Sequence, residues 1–189
     1  MSKTYRPHLL GIDDGPFVKV PGATTPIVAV MMEGADLIES VALSSFTIDG
    51  DGVSEFLARW IAGLRSAEAV QAVLLGGITI AGLAIIDVSA LSRELAKPVL
   101  VVNRKEPTNH RLAEALAAAG LNDRATIIER CPEAFRMPCG LFVACAGVED
   151  VEAARLVEAA QAKSLLPEPL RVAHLIARAV ARGESRGRP

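Results

Sequence analysis

The chain has 189 residues, of which 51% are hydrophobic and 22% charged, and its net charge is −2. That balance describes one folded domain over 1–189 and excludes a disordered chain, and no apolar run approaches the roughly 20 residues of a membrane span. It also gives no global basic footprint, so a nucleic-acid partner requires a local patch of Lys and Arg. Cys131, Cys139 and Cys145 lack metal-type CxxC spacing and read as buried or half-buried thiols of a reducing cytoplasm. The sequence opens without an apolar secretory segment, which agrees with a cytoplasmic setting.

The first predicted element is a strand over 8–13, an apolar run ending in Asp13-Asp14-Gly15. Its period of two puts Leu9, Gly11 and Asp13 on one face and Leu10, Ile12 and Asp14 on the other. Acids followed by Gly also form turns, so the same residues read as a turn or as a rigid, strand-borne carboxylate suited to a divalent metal. After a Pro/Gly/Thr-rich loop, strands over 27–33 and about 37–48 flank the turn Gly34-Ala35-Asp36, predicting an antiparallel meander. Asp49 closes the third strand and reads either as a second metal ligand or as a turn or cap residue.

A helix over 51–67 follows, with Val53, Phe56, Leu57, Trp60, Ile61 and Leu64 on its apolar face. Residues 69–75 form an uninterrupted apolar run, expected of a central buried strand, and it ends in Gly76-Gly77 with no carboxylate. A helix over 87–96 takes Asp87 as its N-cap. Further strands are expected over 98–102, 125–128 and 141–144, and helices over 108–119, 149–163 and 169–182. Residues 183–189 are expected to form a loose tail. Three antiparallel strands followed by alternating helix and strand give a mixed sheet flanked by helices, as in ribonuclease H-like α/β folds and some others.

Three motifs carry a specific resemblance. They are Gly11-Ile-Asp-Asp-Gly-Pro-Phe17, Gly77-Ile-Thr-x-x-Gly82 with Asp87, and Leu166-Pro-Glu-Pro-Leu-Arg-Val-Ala-His174 with the Gly183-Glu-Ser-Arg-Gly187 stretch. Together they resemble a family related to endonuclease V, the endonuclease dU-like proteins, from residue 10 to 188. The resemblance implies a ribonuclease H-like fold and Mg2+- or Mn2+-dependent cleavage of DNA near a deaminated base such as deoxyuridine. It assigns Asp13 and Asp49 as metal ligands and catalytic acids, and Lys105 as a catalytic lysine at the scissile phosphate. DNA contact falls to Arg104, Lys105 and Arg171.

Two departures qualify that implication. Relatives usually carry a metal-ligand Asp where this chain has Gly76, so activity is expected to be reduced or lost unless Asp14 or Asp87 fills the place. The Pro-Tyr-x-Pro wedge of endonuclease V has no counterpart in residues 41–46. The alternative is a non-catalytic member of the family that binds nucleic acid or a protein through the same groove. A different phosphate-handling enzyme is a third. His174, one turn after Arg171, reads either as a buried structural histidine or as a proton-transfer group.

Overall fold

A computed structural model describes residues 5–20 and 22–186. Three strands open the fold: β1 (His8–Asp14), β2 (Thr24–Glu33) and β3 (Leu37–Thr47). β1 pairs antiparallel with β2, and β2 with β3, as the turn at Gly34 requires. Helix α1 (Val53–Ala62) leads to β4 (Ala72–Leu75), which lies parallel to β1 on its other side. A two-stranded hairpin, β5 (Thr79–Ile80) and β6 (Ala84–Ile85), stands apart from the main sheet. Helix α2 (Val88–Leu95) follows, and β7 (Val99–Asn103) then pairs parallel to β4.

The chain continues through α3 (Asn109–Ala118), a 3-10 turn (Asn122–Arg124) and α4 (Ala125–Glu129), then β8 (Phe135–Arg136) and β9 (Phe142–Ala146). It ends in α5 (Asp150–Ala159) and α6 (Glu168–Arg182). The seven-stranded sheet has the order β3-β2-β1-β4-β7-β9-β8. Its first five strands have the ribonuclease H-like arrangement, while β9 and β8 continue it antiparallel rather than parallel.

The alternation along β1 sorts the two faces. Leu10 and Ile12 join the core under α1 and α2, whereas Leu9 packs with Leu170 and the inner residues of α5. Gly11 is where α6 meets the sheet. A Cβ there would stand 2.3 Å from the Pro169 carbonyl carbon and 2.5 Å from the Leu170 nitrogen, so only glycine permits this approach.

Several expected boundaries move. The helix expected over 51–67 stops at Ala62 because Gly63 caps it. The strand over 69–75 is paired only from Ala72, and the helix over 149–163 ends at Ala159. The strand expected over 125–128 is the helix α4. Its β-branched Thr126, Ile127 and Ile128 carry a strand signal, but no sheet edge is offered to them. Ile128 instead packs as a helical residue against Leu116 and Ile85. Asp87 caps α2 as expected, its carboxylate accepting from the Ala90 N–H at 2.8 Å. Of the expected loose tail, 187–189 lie outside the described residues.

Candidate functional site

β1, an inner strand of the sheet beside the central β4, carries Asp13 near its C-terminal end. Ile12 pairs with Leu75 in the parallel ladder, so Asp13 stands beside Gly76 at the exit of β4. From the face above, α6 lowers His174 onto Asp13, with Nδ1 2.7 Å from Oδ2. An ionised carboxylate only accepts, so the imidazole N–H donates. The Asp14 N–H donates to the other oxygen at 2.9 Å. Burial pushes the Asp13 carboxyl above its ordinary pKa, and His174 and the Asp14 N–H oppose that rise.

One helical turn before His174, Arg171 donates through Nε and Nη2 to a single oxygen of the buried Glu168, at 2.8 and 2.6 Å. The other Glu168 oxygen is buried without a partner. The pair fixes Arg171 against the helix start and leaves it lining a cavity of about 750 Å³ that also takes in Asp13, Gly76 and His174. Asn103 and Arg104 enter from the end of β7, Arg178 from α6 and Arg186 from beyond it. Four guanidinium groups thus share a cleft with one carboxylate, and that is the local basic patch that a net charge of −2 left to be found.

A second cavity of about 890 Å³ adjoins the first, sharing Gly76, Gly77, Thr79 and Asn103 as its wall. His110, Leu112 and Cys131 lie on its far side. A side chain added at Gly76 meets no atom within 4 Å of its Cβ, so the position where relatives are expected to carry a carboxylate is open space here.

Asp13, Gly76, Arg104, Arg171 and His174 therefore come together, while Asp14, Asp49, Asp87 and Lys105 do not line this cleft. Asp14 points to the opposite face, as alternation requires, and accepts the Ala81 N–H at 2.9 Å. Burial, reinforced by the charge on Asp13, pushes its pKa up to about 6. Asp49 accepts the Leu83 N–H at 2.7 Å and the Lys19 ammonium at 3.0 Å, and its own N–H donates to the Ala81 carbonyl. Burial raises the Asp49 pKa, but the Leu83 N–H and Lys19 outweigh it and leave the group below its ordinary value.

Asp14 and Asp49 together grip the β5–β6 hairpin from both sides. The buried Arg124 closes the same knot, donating to the Leu83 and Asp49 carbonyls and to Asp51. Gly82 is required there, since a Cβ would stand 2.2 Å from the Asp49 carboxylate. Asp87 is occupied as a helix cap, and Lys105 is exposed one residue beyond Arg104.

Sequence reasoning missed Asn103 and Glu168, while Arg178 and Arg186 were readable as phosphate contacts, Arg178 against the alternative of a solvated helix face and Arg186 as part of a loose tail. Arg171, His174 and Arg178 recur at i, i+3 and i+7, which places them on one stripe of α6, and that spacing was the available signal. The place of Arg186 depends on how the chain leaves the helix, which the sequence alone does not fix.

Among the described residues, no group of three or more His, Cys, Asp and Glu side chains stands close enough to hold a metal ion. Asp13 supplies one hard carboxylate oxygen and Asn103 an amide oxygen. That donor chemistry suits one weakly held Mg2+ or Mn2+ completed by water and substrate phosphate, and does not suit a two-ion clamp.

The topology is that of a ribonuclease H-like domain, a fold it shares with endonuclease V. Endonuclease V of Ciona intestinalis, in complex with a 24mer DNA containing an inosine followed by a ribo-adenosine, superposes with a TM-score of 0.59 at 13% identity, over 89% of this chain and 82% of that one. Endonuclease V of Bacillus subtilis gives 0.55 at 16%, over 93% and 81%. More narrowly, the chain belongs to the endonuclease dU family, which it matches over residues 6–181. The UPF0215 protein of Methanothermobacter thermautotrophicus is 33% identical over 184 residues, 95% of this chain and 90% of that protein. That of Thermococcus gammatolerans is 34% identical over 193 residues, 98% of each. A protein of unknown function from Archaeoglobus fulgidus shares the fold with a TM-score of 0.85 at 28% identity, over 92% of this chain and 98% of that one.

Proposed function

We propose that this protein binds DNA along its phosphate backbone in the Asp13 cleft and is a phosphodiester hydrolase of reduced power, directed to deaminated bases such as deoxyuridine. The observation that carries the reading is the Asp13–His174 pair set among Arg104, Arg171, Arg178 and Arg186. Guanidinium groups neutralise successive phosphates and release their counterions, which supplies affinity without reading sequence. The Ciona neighbour's inosine-containing DNA supports the choice of substrate, since hypoxanthine, like uracil, arises by deamination.

Asp13 and the Asn103 amide oxygen would hold Mg2+ or Mn2+, with Lys105 adding a cation beside Arg104 at the strand end. A bound ion polarises the phosphate and makes water a better nucleophile. His174 holds the Asp13 carboxylate in one orientation and opposes the burial that favours its neutral form. Arg171, fixed by Glu168, sets the backbone against the cleft. The single carboxylate limits the hydrolytic power, because nothing beside Gly76 supports a second ion. A non-catalytic DNA-binding protein is the second reading, and the same lack of a second carboxylate favours it.

Titration with Mn2+ and cleavage of uracil-containing duplex, before and after Gly76→Asp, test the proposal. The expected result is DNA binding with slow Mn2+-dependent cleavage by the unaltered protein, and faster cleavage with Mn2+ affinity raised by at least about tenfold (~1.4 kcal/mol) in the variant. Rapid cleavage by the unaltered protein that is abolished by Asp13→Ala overturns the reduced site. Failure to bind DNA overturns the whole reading, and DNA binding with no cleavage by either protein establishes the second one.

A further inference from the structure

We infer that the free edge of β3 is the pairing surface for a second copy of this chain, joining two sheets into one across a twofold axis. The inference is independent of the Asp13 cleft. Among the described residues β3 is the outermost strand on its side of the sheet and is 11 residues long, so one side of its backbone carries N–H and C=O groups that no neighbouring described strand receives. Edge strands that stay unpaired are blunted by charged residues, Pro, a bulge or a short length. β3 carries one charge and one bulge, both at Glu39 near its start, and from Ser40 to Thr47 it has none of these.

The side chains argue for a like partner. Val30 pairs with Val41 and Val28 with Leu43, and both β2 valines pack under α6, so Val41 and Leu43 project on the α6 side of the sheet. They are 47% and 57% exposed, and Ile38 is 48% exposed, which leaves an apolar strip beside Val172 and Ile176 of α6. Antiparallel pairing centred on Ala42 sets Val41 of each copy against Leu43 of the other, and such β-branched and aliphatic cross-strand pairs are stabilising.

Charge permits this self-pairing. Glu39 is the only ionisable residue in the strand, its carboxylate is tied back to His8 of its own chain at 2.6 Å, and in this register it falls opposite a serine, Ser45. A basic or acidic partner would find nothing to answer it. The partner's strip extends the same neutral, apolar surface.

Sedimentation equilibrium on the full chain, with Val41→Lys/Leu43→Lys and Val151→Lys variants, tests the inference. Val151 is 84% exposed on α5, on another part of the surface. The expected result is a dimer for the unaltered chain and for Val151→Lys, and a monomer with an unchanged circular dichroism spectrum for the double variant. A monomeric unaltered chain overturns the inference and leaves the strip to a different partner. A dimer that survives the double substitution also overturns it. If the double variant misfolds, Leu43→Ser takes its place: an unweakened dimer then counts against the pairing, and a raised dissociation constant supports it.

Discussion

His174 Nδ1 lies 2.7 Å from Asp13 Oδ2, joining a helix and a strand 161 positions apart in the chain. The contact exists because Gly11, two residues before Asp13, lets α6 start directly against β1. It opposes the rise that burial causes in the pKa of the one carboxylate in the cleft. With His174→Ala the Asp13 carboxyl loses the partner that offsets burial, so its pKa rises further. Carboxyl-carbon NMR of the labelled protein should show that rise, and Mn2+ binding should shift to higher pH with it. An unchanged Asp13 titration would mean that burial alone governs the group.

Gly11→Ala should act on stability and site together. The added methyl group meets backbone atoms of Pro169 and Leu170, which move only if the start of α6 moves. Overpacking of this kind costs about 1–3 kcal/mol, read as a lower urea midpoint. Because Arg171 and His174 ride on the same helix, DNA affinity should fall even in the fraction that remains folded.

The arginines of the cleft should behave as backbone contacts. Arg104→Ala and Arg171→Ala are each expected to weaken DNA binding about equally for all sequences. Each should lower the slope of log K against log salt by about 1. Arg155, which lies over the Tyr5 ring at 3.9 Å away from the cleft, is the control and should change neither.

Asp14 predicts a pH dependence of folding in metal-free protein. Its folded pKa of about 6 lies above the ordinary aspartate value of 3.8, so the native state binds this proton more tightly than the unfolded chain does. The stability it contributes is present at low pH and is lost as pH rises through about 6. Asp14→Asn keeps an oxygen for the Ala81 N–H without the charge. The variant should match the parent at low pH and exceed its Tm at pH values above 6. Parallel Tm curves for the two proteins would contradict this.

Much of the local structure was legible. The period of two along β1 placed Asp13 and Asp14 on opposite faces, and the structure uses them so, Asp13 toward α6 and Asp14 toward the β5–β6 hairpin. Asp87 was readable as a cap because capping is settled within four residues. The Gly34 turn announced the antiparallel meander. α4 was misread for a related reason: a short β-branched run signals a strand only where a sheet edge is available to receive it, and that is not a local property.

The candidate site divides along the same line. The residue types were visible, including the glycine at position 76, where no carboxylate closes β4, and the Arg171/His174 pair. Their grouping was not. Asp13 and Asp49 look alike in sequence, each an acid at a strand end followed by a tight turn, yet Asp13 enters the cleft and Asp49 holds the 79–85 hairpin. Which of two similar acids faces a cavity depends on what packs across from it. For Asp13 that is a helix more than 150 residues later, and for Asp49 it is a hairpin and the buried Arg124. Periodicity and capping act over a few residues and so are written in the chain, whereas the convergence of charges follows from sheet order and helix docking, which join residues distant in sequence through the packing of the whole core.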